Sequence, residues 1–151
     1  GPVIDAEARE GLLAHIQQLK SEGKLIAEAR LPEGLNGHFV APVAFEIGGI
    51  HELKKENFGP ILHVVRFEAS ELEQVVAAIN GTGFGLTLGV HSRNEETARR
   101  IEALARVGNL YVNRNQIGAV VGVQPFGGCG LSGSKQGLDP HQTLHELASD
   151  R

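Results

Sequence analysis

The stretch ILHVVRFEASELEQVVAAINGTGFGLTLGVHSRNEETARRIEALARVGNLYVNRN, residues 61–115, decides the fold of this chain. It contains three apolar, partly β-branched segments that are typical of strands, at residues 61–68, 86–92 and 109–115. Between them lie two segments with apolar residues at helical spacing, each crossover being about a dozen residues long. This alternation predicts right-handed units in a parallel sheet with helices on both faces, which is the α/β class.

The two crossover helices carry start and stop signals. Ser70 and Glu73 predict a capping box for the first helix, and Gly81 predicts its end. Asn94 predicts the N-cap of the second helix, and Gly108 its end. The apolar stripes predict the faces that pack on the sheet, namely Leu72, Val75, Val76 and Ile79 in the first helix and Ile101, Leu104 and Ala105 in the second.

The part of the chain before residue 61 predicts one helix and two strands. Asp5 predicts the N-cap of the helix and Gly23 its end, and apolar residues recur between them at helical spacing. Those apolar residues are Leu12, Ile16 and Leu19. Short strands are predicted within residues 24–31 and 38–47, with a turn at residues 34–37 between them.

Composition indicates an ordinary folded protein and argues against several classes. A chain of 151 residues, 41% hydrophobic and 21% charged, is expected to form one domain with a core. The net charge of −4 and the lack of a Lys/Arg run argue against nucleic acid as a partner. The longest apolar stretch, residues 117–123, is far shorter than the ~20 residues of a membrane span, and we see no export leader. One cysteine cannot form an internal disulfide, so we expect a cytoplasmic protein.

Glycine is enriched after residue 80, above all in the stretch 118–133. In an open parallel sheet ligands collect beyond the carboxyl ends of the strands, and this stretch follows the last predicted strand. Its backbone amides are suited to a carboxylate or an oxyanion. The alternative is a flexible loop that needs no ligand. The opening GPVIDAEAR and the absence of Met indicate a piece of a longer protein.

Two motifs resemble segments of NAD(P)-dependent aldehyde dehydrogenases. KKENFGPIL (54–62) resembles their E-x-F-G-P segment, and QPFGGCGLSG (124–133) resembles their P-F-G-G-x-x-x-S-G segment, about seventy residues downstream. The stretch GNLYVNRNQIGAVVGVQPFGG (108–128) is also similar to the L-glutamate γ-semialdehyde dehydrogenase domain of the bifunctional proline utilization A family. The resemblance covers residues 1–133, and a divergent tail occupies residues 134–151. It implies a partial catalytic domain of the aldehyde dehydrogenase type, with a Rossmann-like parallel sheet.

The resemblance implies roles for five residues. Glu56 would accept hydrogen bonds from the nicotinamide ribose of NAD, and Phe58 would help to fix the nicotinamide ring. Gly118 and Ala119 match the loop that anchors the α-carboxylate of glutamate semialdehyde through backbone amides, and Phe126 matches the aromatic wall of the aldehyde pocket. The alternatives are a solvated surface charge for Glu56 and ordinary core positions for the two phenylalanines.

The resemblance also implies that the catalytic nucleophile is missing. The thiolate of this family, the main cofactor-binding domain and the oxyanion-hole asparagine all belong upstream of residue 1. Cys129 stands where the family has Glu, so we expect a bystander thiol, no catalytic residue in the chain, and no activity from the chain alone. Asn113, Arg114 and Asn115 either line the site or brace loops, bracing being the plainer role for Asn.

No metal site is predicted. His141 and His145 have the spacing of a metal pair on a helix, but no third ligand is evident. The other five histidines occur singly and predict no special role.

Three functions are compatible with this sequence. The first is part of an NAD-dependent aldehyde dehydrogenase that oxidises L-glutamate γ-semialdehyde (1-pyrroline-5-carboxylate) to L-glutamate in proline catabolism, as a homo-oligomer or within a larger multidomain chain. The second is a non-catalytic module of the same family, for dimerisation or for capping a tunnel. The third is a small thiol enzyme built on Cys129. We favour the first, because a pure scaffold has no use for Glu56 or for the anchor at residues 118–119.

Overall fold

The structure of the chain, a computed structural model, describes residues 1–117 and 127–133. It divides into two compact units, the first spanning Gly1–Arg66 and the second beginning at Phe67. The first unit contains α1 (Ala6–Ser21), β1 (Leu25–Glu28), β2 (Val43–Glu46) and β3 (Ile61–Val64). The second contains α2 (Leu72–Gly81), β4 (Phe84–Gly85), β5 (Thr87–Val90), α3 (Glu95–Leu104), β6 (Asn109–Val112) and β7 (Cys129–Gly130). None of the helices described has the length and apolar character of a membrane span.

Helix α1 forms as the sequence predicts. The Asp5 side chain accepts a hydrogen bond of 2.8 Å from the amide of Ala8, which satisfies one of the free donors at the helix start. The three apolar residues at helical spacing, Leu12, Ile16 and Leu19, are all buried. Gly23 follows the helix end with φ 72°, a left-handed conformation that favours glycine.

The sheet of the first unit has the order β1-β2-β3, with β1 antiparallel to β2 and β2 parallel to β3. Its central strand carries Phe45, which is fully buried, and packs against the apolar face of α1. Residues 38–47 form a strand only at Val43–Glu46, which is shorter than predicted. Pro42 has no amide hydrogen to donate to the ladder, so the strand begins directly after it.

In the second unit β5, α3 and β6 form the predicted parallel crossover. Residues Thr87–Val90 pair in register with Asn109–Val112. The predicted single sheet through residues 61–115 is not observed among the described strands, because β3 pairs with β2 while β5 and β6 form a sheet of their own. Part of the glycine-rich stretch, β7, pairs antiparallel with β4. The α/β class with parallel sheet parts is confirmed, while the expectation that the three strands share one sheet is corrected.

The helix boundaries of the second unit were predicted with mixed success. Asn94 caps α3 as expected, accepting from the amides of Glu96 and Thr97 at 2.9 and 3.4 Å. The predicted C-terminus of α3 was wrong, because the helix ends at Leu104 rather than near Gly108. No residue of α3 is fully buried.

The predicted capping box of Ser70 and Glu73 was also wrong. A 3-10 turn at Ala69–Glu71 precedes α2, and the box closes around that turn between Glu68 and Glu71. The Glu68 amide donates to the Glu71 side chain at 2.9 Å. Because of this extra turn, the unpaired amides at the start of the helical segment occur earlier in the sequence than the spacing of the apolar residues indicates.

Gly59 lies against the buried face of α1. A Cβ atom added at this position would lie 2.5 and 2.8 Å from the two terminal methyl carbons of Leu12. Leu12 is itself buried in the core of the first unit, so it has little room to move. The glycine of the F-G-P motif therefore permits close approach between this loop and α1.

We expect Gly59→Ala to destabilise the chain by about 1–3 kcal/mol, because the added methyl group overpacks the contact with Leu12. Urea unfolding measures the effect. Gly11→Ala is the matched control, since an added Cβ there meets nothing within 4 Å and the residue lies inside α1. That substitution should stabilise the chain by about 0.5–1 kcal/mol. Equal destabilisation by both substitutions would contradict the contact.

Candidate functional site

The segment 54–58 is an irregular stretch held at both ends. Before it, the Glu52 carboxylate accepts hydrogen bonds from Lys24 at 2.5 Å and from the Gly48 amide at 2.8 Å. After it, the Val43 amide donates to the Pro60 carbonyl at 3.0 Å, which ties the loop to the start of β2. The segment is thus anchored, and all of its residues except the partly buried Asn57 are exposed.

Glu56 and Phe58 line the same open groove, of about 430 Å³, between the start of α1 and this segment. The Phe58 ring is 79% exposed, so it does not belong to the core of the first unit. Glu56 is exposed and makes no hydrogen bond or ion pair with any described residue. The structure therefore brings the two residues together, as a free carboxylate beside a bare aromatic ring.

The groove carries more negative than positive charge. Asp5 and Glu7 from the start of α1 join Glu56 among its lining residues, and Lys55 is the one cation in that lining. Such a surface disfavours phosphate groups and suits hydroxyl groups or a cationic ring. Sequence reasoning missed Asp5 and Glu7 as lining residues, because a helix cap and a first-turn acid have an ordinary local explanation.

The described part of the glycine-rich stretch, residues 127–133, serves packing. The amides of Leu131, Ser132 and Gly133 donate to the carbonyls of Gly83, Cys129 and Gly130 respectively, so they are not available to a ligand. The Ser132 hydroxyl accepts from the Gly85 amide at 3.1 Å. Gly130 has φ 60° and lies so close to the Gly83 carbonyl that a side chain would clash with it.

Cys129 is partly buried within β7, directly opposite Gly85 of β4. The prediction that Cys129 is a bystander remains a prediction that labelling with a thiol reagent can test.

Asn113 braces two loops at the carboxyl ends of β5 and β6. Its side-chain oxygen accepts from the Ser92 amide and its side-chain nitrogen donates to the Ser92 carbonyl, both at 2.9 Å. Asn113 has φ 54°, a left-handed conformation that Asn tolerates better than most residues. The Arg114 guanidinium lies 5.2 Å from the centre of the Tyr111 ring. Bracing is therefore the observed role of Asn113.

The remaining predicted site residues lie outside the described residues. They are Gly118, Ala119 and Phe126, together with the histidines of the tail, His141 and His145. In the part of the chain that the structure does describe, no group of three His, Cys, Asp or Glu side chains is arranged to hold a metal ion.

A histidine pair, which the sequence did not predict, links α1 to β3. The Nε2 atoms of His15 and His63 lie 2.9 Å apart, and the ring planes are tilted by 51°. Burial lowers the pKa of His15, and the charge of Lys55 lowers it further, while Glu22 opposes the change. Burial, followed by the charge of His15, lowers the pKa of His63. The two rings are separated by 48 residues, so each one occurs singly in the sequence.

We expect the chain to lose stability as the pH falls from about 7.5 to about 5.5. The folded state lowers the pKa values of His15 and His63, so it binds fewer protons than the unfolded chain. Their contribution is fully present above the unfolded pKa of about 6.5 and declines as the pH falls below it. The midpoint of urea unfolding, measured across this range, should fall more in the wild-type chain than in His63→Gln. An equal fall in both would contradict the assignment.

The ion pairs of Lys24 titrate in a different range. Hydrogen bonds from Lys24 lower the pKa values of Glu22 and Glu52, so these carboxylates lose their stabilising contribution only when the pH falls below about 4.5. They remain charged throughout the range in which the histidine pair is tested.

A sequence model of the aldehyde dehydrogenase family matches residues 1–149 of the chain. The chain belongs to the aldehyde dehydrogenase family. The resemblance in the motifs at residues 54–62 and 124–133 is thereby confirmed, and the match also includes most of the tail.

Among curated relatives, this aldehyde dehydrogenase chain is 50% identical over 157 residues to the Bifunctional protein PutA of Klebsiella aerogenes. It is 35% identical over 152 residues to a 1-pyrroline-5-carboxylate dehydrogenase of a Geobacillus species. The alignments cover 100% and 98% of the chain, but only 12% and 29% of the two relatives. The chain therefore corresponds to a small part of the proteins it matches.

Solved structures give the same assignment. A mutant of proline utilization A from Bradyrhizobium japonicum matches with a TM-score of 0.81 and 56% identity, over 89% of this chain and 14% of that one. A 1-pyrroline-5-carboxylate dehydrogenase from Thermus with bound NAD matches with a TM-score of 0.75 and 40% identity, over 89% of this chain and 26% of that one. The aldehyde dehydrogenase fold, as a partial domain, is therefore shown.

Proposed function

We propose that this chain is part of an NAD-dependent aldehyde dehydrogenase that oxidises L-glutamate γ-semialdehyde to L-glutamate in proline catabolism. Membership of the family supports the reaction class. The names of relatives, Bifunctional protein PutA and 1-pyrroline-5-carboxylate dehydrogenase, support this substrate. The observation within the structure that carries the proposal is the groove in which the exposed Glu56 and Phe58 lie side by side.

The residues of this groove fit the nicotinamide end of NAD. A free carboxylate is purely an acceptor and matches the two ribose hydroxyls, which is the role we assign to Glu56. An exposed ring such as Phe58 is stabilised when it buries its apolar surface against the flat face of a ligand, and it excludes water from that face. The acidic lining suits the positive charge of the oxidised nicotinamide. NAD, when bound, supplies the hydride acceptor, and we place its phosphate contacts in other parts of the parent protein.

We assign substrate binding to Gly118, Ala119 and Phe126. Small residues permit a backbone amide to approach an anion closely, so Gly118 and Ala119 suit the α-carboxylate of the amino acid. Phe126 supplies an apolar wall for the short aldehyde arm. These assignments rest on the family motif around residues 118–128.

We infer that the nucleophilic thiolate lies in a part of the parent protein outside residues 1–151. Aldehyde oxidation of this type needs a cysteine that attacks the carbonyl carbon, and Cys129 stands where the family motif has Glu, in a strand paired with β4. The chain alone should therefore bind NAD weakly and turn over nothing. The parent is proposed to be a cytoplasmic protein that works as a homo-oligomer or within a larger multidomain chain.

The test is the NAD-dependent oxidation of L-glutamate γ-semialdehyde by the full-length parent, followed by the appearance of NADH. The 151-residue chain is assayed beside it. We expect turnover by the parent and none by the chain. If the purified and folded parent has no activity, the result would favour a non-catalytic module of the family. Turnover by the chain alone would overturn the placement of the nucleophile.

A further inference from the structure

The histidine pair joins α1 to β3, the strand that follows segment 54–58 with its residue Glu56. We propose that His15 and His63 are positioning residues that keep segment 54–58 in place against α1, so that NAD binding by the parent protein weakens in mild acid. The inference rests on the proposed function of Glu56. It adds that two residues outside the groove control how well that groove is formed.

Two contacts hold this part of the chain to one face of α1. Leu12 contacts Gly59 at the end of the segment. His15, three residues further along the helix and therefore on the same face, bonds to His63 in β3. The segment runs directly into β3, so a movement of β3 away from α1 carries Glu56 and Phe58 with it.

The hydrogen bond between the rings depends on protonation. An N–H···N bond needs a lone pair on one of the two nitrogens, so it survives while at most one ring is protonated. When both rings are protonated, two cations face each other across the 2.9 Å between their Nε2 atoms. The bond is then replaced by repulsion.

Charged groups of both signs lie around the pair. Lys55, which belongs to the segment itself, acts on His15 as a further positive charge, and Glu22 on α1 is the opposing negative one. His15, Glu22 and Lys55 also line one cleft of about 430 Å³, on which Asn57 of the segment lies as well. A protonated His15 therefore repels Lys55, a residue of the segment itself. Glu52 and Lys54 line the same cleft.

The test measures KM for NAD and kcat of the parent enzyme between about pH 7.5 and about pH 5.5. We expect the wild-type KM for NAD to rise by about threefold or more across this range, relative to His63→Gln, in which the pair cannot become doubly charged. At the upper pH the two proteins should agree within about twofold, because Gln can still hydrogen-bond His15. kcat at saturating NAD should follow the same pH profile in both.

His51→Gln is the matched control, since His51 is an exposed histidine of the same unit and should leave the wild-type profile of KM unchanged. An identical pH dependence of KM in wild type and His63→Gln would overturn the inference, while activity of the wild type leaves the proposed function intact. A change confined to kcat would also overturn it, because a positioning role for the NAD segment acts on binding.

A second measurement applies if the variant does not fold or the parent has no activity. Amide hydrogen exchange of the wild-type chain, corrected for the intrinsic effect of pH, should speed up in residues 54–64 on acidification, more than in α3. Unchanged exchange in residues 54–64 would overturn the positioning role. Absence of activity in a parent that shows this change would refute the proposed function and leave the structural role in place.

Discussion

Glu56→Ala in the parent enzyme is expected to raise KM for NAD by about 10- to 100-fold, with a smaller effect on kcat. A hydrogen bond to a charged acceptor is worth about 1.5–3 kcal/mol, and this carboxylate is proposed to accept from the ribose hydroxyls. The residue is exposed and unpaired among the described residues, so its removal should cost little stability. Steady-state kinetics with NAD as the varied substrate measures the effect.

Two variants make the test of Glu56 specific. Glu56→Gln keeps one acceptor oxygen and should retain part of the affinity. Glu33→Ala removes an exposed carboxylate from a turn of the same unit and should change KM by less than about twofold. If Glu56→Ala and Glu33→Ala have the same effect, Glu56 is a solvated surface charge and the cofactor role is wrong.

Phe45→Ala should destabilise the chain by about 3–5 kcal/mol, the usual cost of removing a buried aromatic side chain. Phe45 has no exposed surface and is the largest fully buried side chain among the described residues. It lies on the central strand of the first sheet, in contact with the core formed with α1. The loss is comparable to the whole stability of a small domain, so much of the population is expected to unfold.

Urea unfolding measured by circular dichroism tests the prediction for Phe45. Leu62→Ala is the comparison, because Leu62 lies on the adjacent strand β3 and is 62% exposed. That change should cost no more than about 0.5 kcal/mol. Similar losses for Phe45 and Leu62 would show that the first unit does not have the core described.

Local signals in the sequence predicted the local structure best. Asp5 and Asn94 cap their helices because a side-chain acceptor next to free amides acts over three residues or fewer. The β5-α3-β6 unit followed from alternating patterns within about 25 residues. The family and its partial fold were predicted from the motifs at residues 54–62 and 124–133. Both motifs and the distance between them match the family pattern.

Features that depend on distant residues were not predictable in this way. The His15–His63 bond joins residues 48 positions apart, and neither sequence context distinguishes it from a lone histidine. The exposure of Phe58 depends on which neighbours cover it, whereas an aromatic residue alone favours the core. The pairing of β7 with β4 likewise places part of a presumed binding loop in a packing role, because its glycines permit close backbone contacts.

The proposed identity of the substrate depends on the assignment of Gly118 and Ala119 to its α-carboxylate. The most direct measurement compares kcat/KM for L-glutamate γ-semialdehyde with kcat/KM for butanal, which lacks the amino acid end, in the wild-type parent and in Gly118→Val. We expect the wild type to prefer the amino acid aldehyde strongly. Gly118→Val should lower kcat/KM for L-glutamate γ-semialdehyde by about 100-fold and kcat/KM for butanal by less than about threefold. Only the amino acid aldehyde has a carboxylate for the substitution to displace. An unchanged ratio between the two aldehydes in Gly118→Val would contradict the account.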